Sequence, residues 1–111
     1  MCRALQVLCA APGRERLGEL KRATVSAEYE LTGGVTDAES LLAQVEELEP
    51  DAVVADAGLG AEAIEALRAA YPSMRIVVVG AEAEAADEWV ARDEDVRAAV
   101  LGIPRPGGPV R

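Results

Sequence analysis

Two side chains in this sequence stand where reactive groups usually stand, at the ends of apolar runs. Cys9 closes the run ALQVLC (4–9), and Asp56 follows the run AVVA (52–55). A strand-end thiol could be a nucleophile; it could equally be a small buried apolar group. A strand-end carboxylate could accept a group or bind a ligand, or it could cap the next turn. There is no histidine, which removes the commonest general base and argues against a zinc site. Cys2 and Cys9 are too few for a disulfide scaffold.

The 111 residues suit one domain, and half of them are apolar. Apolar runs reach only four or five residues, so no membrane span is expected, and the short apolar start reads as a strand rather than a signal peptide. A cytoplasmic protein is expected. The net charge is −9, with 20 acids against 11 bases. An excess of that sign argues against nucleic-acid binding by this domain, because phosphate neutralisation needs a basic face. Charge is uneven: Arg14, Arg16, Lys21 and Arg22 cluster early, whereas residues 82–95 carry seven acids and only Arg92. That acidic stretch is either a solvated face or a docking surface.

Strand and helix signals alternate. Strands are expected at 4–9, 25–31, 52–55, 75–79 and 96–101, with Gly33-Gly34 breaking the chain after the second. Helices are expected at 14–23, after Thr36, at 61–71 and at 82–92. Thr36-Asp37-Ala38-Glu39 reads as a capping box, and Pro50 and Pro72 stop the helices they follow. AVVA and RIVVV are apolar at every position, as strands buried on both faces of a parallel sheet must be. The alternation implies an open parallel α/β sheet with helices on both faces. Residues 105–111 read as a Gly/Pro-rich tail or linker after a domain spanning 1–104.

The segment EPDAVVAD (49–56), the helix EAIEALRAAYP and the strand RIVVVGA together resemble the centre of a response-regulator receiver domain. The resemblance extends over roughly residues 4–104. It implies a flavodoxin-like sheet of order 2-1-3-4-5, with the functional end at the strands' C-termini. Asp56 matches the family's phospho-accepting aspartate. The stretch that holds the family's Mg²⁺-binding acids offers Cys9, Ala10 and Ala11, none of which has a side-chain oxygen for a hard cation. The Thr/Ser position falls on Gly80, the aromatic switch position on Val100, and the Lys position on Ile103. The resemblance is therefore to a pseudo-receiver, a receiver that keeps the fold and loses the chemistry. It implies no enzyme activity, no cofactor and no metal. The partner would be a protein or a downstream domain, such as a pilus-assembly or septum-site ATPase. A receiver still phosphorylated on Asp56 is the first alternative.

A second resemblance rests on Cys9. Sugar-transport phosphocarriers and low-molecular-weight tyrosine phosphatases also carry a cysteine after the first strand. In the phosphatases an Arg follows five residues later, where this chain has Glu15, and a carboxylate repels phosphate. Gly58-Leu59-Gly60-Ala61-Glu62-Ala63 has the G-x-G-x-x-A spacing of a dinucleotide-binding turn, with Glu82 after the next strand. It lies on the third strand, with too little chain beyond it for two nucleotide halves, and reads as a tight βα turn.

Trp89, Val90 and Val100 form the possible partner surface. With 96–101 as the last strand, no fifth helix follows. An apolar strip on the order of several hundred Å² would then stay open beside the first helix. A homodimer is expected to cover it.

Overall fold

The computed structural model describes residues 5–26, 29–83 and 85–101. Five strands form one parallel sheet: β1 (Leu5–Ala10), β2 (Tyr29–Val35), β3 (Ala52–Asp56), β4 (Arg75–Val79) and β5 (Glu88–Val90), in the order β2-β1-β3-β4-β5. Four α-helices are described: α1 (Arg14–Thr24), α2 (Ala38–Leu48), α3 (Ala61–Ala70) and α4 (Val96–Leu101). The sheet order and the count of four helices are those expected from the sequence.

β1, β3 and β4 are central, and their side chains divide by parity between two cores. Val7, Cys9, Val54, Val77 and Val79 face the side covered by α1 and α4. Leu8, Val53, Ala55, Ile76 and Val78 face the side of α2 and α3, where Leu41, Val45, Ile64 and Leu67 meet them. This two-sided burial explains why the central strands lack polar positions. Asp51 aligns β3 with β1: its carboxylate accepts from the Gln6 N–H (2.8 Å) and its own N–H donates to the Gln6 carbonyl (2.8 Å).

Four local expectations are corrected. The second strand begins at Tyr29 and runs through Gly33-Gly34 instead of ending before them. The register against β1 slips between Val7 and Leu8, skipping Thr32. The glycines make room: a Cβ on Gly34 would lie 2.6 Å from Lys21 Cε and 3.0 Å from Leu17 Cδ2. Helix α2 is capped by Asp37, not Thr36; its carboxylate accepts from the Ser40 N–H at 2.7 Å.

The other two corrections concern residues 82–101. None of the described residues between β4 and β5 is α-helical, and Glu88–Val90 is the fifth strand. Residues 96–101 form α4 rather than a strand. Val96, Ala99 and Val100 sit at helical spacing and pack with β1, β3 and β4 beside α1. The strip expected to stay open is thus covered by α4, which removes the reason for a homodimer there. The helix absent from the alternation is the one between β4 and β5. Ile103 and residues 105–111 lie outside the described residues.

Candidate functional site

The C-terminal ends of β1 and β3 meet the first turn of α1 and the 3₁₀ turn Asp93–Asp95. Gly13, at φ +86, turns the chain from β1 into α1, and Arg16 follows within the first turn. Its guanidinium is the centre of the site. Arg16 Nε donates to Asp56 Oδ1 at 2.8 Å. Its two terminal nitrogens grip Asp93 in a two-pronged pair, Nη1 to Oδ2 at 2.8 Å and Nη2 to Oδ1 at 2.7 Å. Glu19 Oε1 lies 3.5 Å from Nη1. The planar donors of arginine match this geometry, and a lysine could not reproduce it.

The second oxygen of Asp56 is also taken. Oδ2 accepts from the Gly58 N–H at 2.8 Å, closing the turn Ala57–Leu59. A Cβ on Gly58 would lie 2.7 Å from that oxygen and 2.9 Å from Pro12 Cγ, so glycine permits the turn. Gly60, at φ +98, starts α3. The glycine spacing is accounted for by this βα turn, and the Gly58 N–H is already committed to Asp56.

Electrostatics follow from the clamp. The hydrogen bond from Arg16 holds the Asp93 carboxyl below its usual range, outweighing partial burial. Reciprocally, Asp93 first and Asp56 second push the Arg16 guanidinium further toward its charged form, against partial burial. Arg92, close after β5, pairs with Glu94 and Asp95 at the surface. The cation on Asp56 therefore comes from α1.

Cys9 lies one residue before the end of β1 and is fully buried. Burial pushes its thiol up to about 11, against a hydrogen bond with Thr24 and the charge of Lys21. Few thiolates exist near neutrality at such a value, which leaves the nucleophile reading without support. Ala10 is buried and Gly80 ends β4 at φ +109, its N–H donating to the Val90 carbonyl (2.8 Å). Val100, expected at a switch position on the last strand, lies buried on α4. Val90 is buried too, so of the three residues expected at a partner surface only Trp89 is exposed, at 39%.

The site does not fit a divalent cation. Both oxygens of Asp56 and both of Asp93 are engaged, and Cys9, Ala10 and Ala11 supply no side-chain oxygen. Among the described residues there is no group of three or more His, Cys, Asp or Glu that could hold a metal ion. Asp56 was recognisable at the end of its strand. Arg16 and Asp93 were visible only as members of charged stretches, because 77 residues separate them in the chain. The available signal was the Arg in the first turn after a strand that lacks acids.

No family model matches the chain, and no curated protein does. Solved structures do. The signal receiver domain of NarL from Mycobacterium tuberculosis superposes with a TM-score of 0.74 at 17% identity, covering 91% of this chain and 96% of that one. A CheY-like response regulator receiver domain protein from Methanospirillum hungatei gives 0.73 at 17%, covering 90% and 93%. The response regulator domain of Thermotoga maritima CheB gives 0.65 at 19%, covering 89% and 90%. The chain has the flavodoxin-like fold of response-regulator receiver domains.

Proposed function

We propose that this chain is a pseudo-receiver, a non-catalytic regulatory module that works through protein–protein contact without phosphorylation. The observation that carries the reading is the Arg16 clamp: one guanidinium joins Asp56 to Asp93 and takes the place of an exchangeable cation. Phosphoryl transfer to a carboxylate needs an acceptor oxygen that a phosphorus can approach and positive charge free to move onto the transferring group. In this site the acceptor is hydrogen-bonded on both oxygens and its cation is tied to a second carboxylate. The module acts in the cytoplasm, alone or joined to a larger regulator such as an assembly or septum-site ATPase. Its partner is another protein or a downstream domain. Self-association would need a surface other than the strip under α4.

Amide spectra recorded with Mg²⁺ and beryllofluoride test this. No saturable shift is expected at residues 54–60, and no phosphoryl group should appear on Asp56 with acetyl phosphate. Saturable shifts centred on Asp56 would replace this reading with that of a phosphorylatable receiver.

A further inference from the structure

β5 ends at Val90, and residues 93–101 follow it as the 3₁₀ turn and α4. Three arginines tie this segment to the rest of the molecule. Arg16, on α1, grips Asp93 in the two-pronged pair. Arg75, on β4, donates to the Ala99 carbonyl from Nη2 (2.6 Å) and Nε (3.2 Å). Arg97, on α4 itself, donates from Nε to the carbonyl of Val25, just after α1 (2.6 Å). Beneath these ties, Val96, Ala99 and Val100 join the core that holds Val54, Val77 and Val79.

A helix of six residues is far below the length that is stable on its own. It keeps its form because the sheet holds it, through three small apolar side chains and the arginine contacts. The strand pairings of the sheet all fall within residues 5–90. The segment can therefore leave without breaking a strand pairing, as a separately opening unit must.

Arg16 links this segment to Asp56. The two carboxylates use different donors of the guanidinium: Asp56 takes Nε, and Asp93 takes Nη1 and Nη2. They do not compete for a donor. Asp56 is itself fixed by the Gly58 N–H, so it holds the guanidinium in an orientation that presents both terminal nitrogens to Asp93. Ordering a long side chain costs conformational entropy, and the Asp56 bond offsets that cost before Asp93 arrives.

We infer that residues 93–101 form a strap that leaves the sheet as a unit, and that Asp56 acts through Arg16 as a positioning residue that keeps it seated. When the strap leaves, Val54, Val77 and Val79 lose part of their cover. The inference goes beyond the pseudo-receiver reading, which concerns whether Asp56 takes a ligand and not whether it steadies α4.

Native-state hydrogen exchange of the intact chain, followed amide by amide in low denaturant, tests this. Amides 99–101 should exchange through an opening about tenfold more frequent, or more, than that of central-strand amides 53–55 and 76–78, and with a shallower dependence on denaturant. Ile64→Val, in the opposite core, should speed the central-strand amides and leave 99–101 unchanged, because it destabilises the closed and the strap-open states alike. Arg16→Ala should speed exchange at 99–101 about tenfold and Asp56→Asn about threefold, and Asp56→Asn added to Arg16→Ala should give no further rise. Ile64→Val removes one methyl group and Asp56→Asn keeps the side-chain shape, so the folded chain survives both. Equal acceleration of 99–101 and the central strands by Ile64→Val would show that α4 opens only with the whole molecule. No acceleration at 99–101 in Arg16→Ala or Asp56→Asn, or the same effect of Asp56→Asn with and without Arg16, would remove the latch. Each of these overturns the proposal, and each leaves the beryllofluoride result on Asp56 intact, so the two readings fail separately.

Discussion

The two long sides of this sheet end in opposite states. At the Asp56 end, the carboxylates of Asp56 and Asp93 are tied by the same guanidinium, and no described buried side-chain polar atom lacks a partner. At the β4–β5 crossing, a groove lies between α3 and the connection, and Trp89 on the edge strand is 39% exposed. Charge satisfaction closes the first region, because an exchangeable ligand would have to displace bonds already made. The second region is covered by an irregular connection whose Ala83, Ala85 and Ala86 pack against the buried Ile64 and Val78. The difference separates a region held by charge pairing from one held by small apolar side chains on the sheet.

The largest effect should come from the buried layer on the α2 and α3 side of the sheet. Leu67 on α3 is fully buried in the core between α3 and the sheet. Leu67→Ala should cost about 2–5 kcal/mol in chemical denaturation. Glu65→Ala, at an exposed position of the same helix, should change stability by no more than about 0.5 kcal/mol. Similar losses for the two would erase the contrast between the buried layer and the surface above it.

Next in size is the clamp. Arg16→Ala leaves two carboxylates facing one another with no cation, at a site only partly exposed. A loss of about 1–3 kcal/mol is expected, between the values for surface and buried pairs. Arg16→Lys should recover only part of it, since an ammonium cannot make the two-pronged pair. Full recovery by Lys would show that charge alone matters.

The smallest effect is on pH dependence. The Asp93 carboxyl titrates lower in the folded chain than in the unfolded one, where the usual value is about 3.9. The stability it contributes is present above that value and is lost as pH falls through the depressed folded value. Asp87 behaves alike: burial opposes its charge, but the Ile76 N–H and Arg68 outweigh it. Acid denaturation should therefore steepen below about pH 4. Asp93→Asn should flatten the curve there, measured by circular dichroism against pH. An unchanged slope would show that the pair contributes nothing to stability.

The central fold was legible because burial on both faces leaves a direct mark. AVVA and RIVVV admit no polar position, and the helices at 14–24, 38–48 and 61–70 carry apolar residues at helical spacing. The region from 82 to 101 misled because its local signals point elsewhere. AEAEAADEWV is rich in helix formers, yet it lacks an apolar stripe; Arg68 donates to its Ala85 carbonyl, and its Asp87 carboxylate accepts from the Ile76 N–H of β4. VRAAVL is apolar enough for a strand, but Val96, Ala99 and Val100 fall at i, i+3 and i+4, a helical signal already present in the chain. The three acids at 93–95 before it also suit a helix N-terminus.

The sequence by itself determined the parallel α/β architecture, the order of its first seven elements, the loss of acids after β1 and the position of Asp56 at a strand end. Each is a local property, set by residue type and periodicity over a few turns or strand pairs. Only the tertiary structure decided that Arg16 joins Asp56 to Asp93, that residues 96–101 close the strip beside α1, and that Arg68 ties α3 to Ala85 and Asp87 of the β4–β5 connection. These depend on contacts between segments up to 77 residues apart, and on competition for one place on the sheet. Such competition is settled by which packing buries more apolar surface and satisfies more backbone groups, a comparison no local window contains.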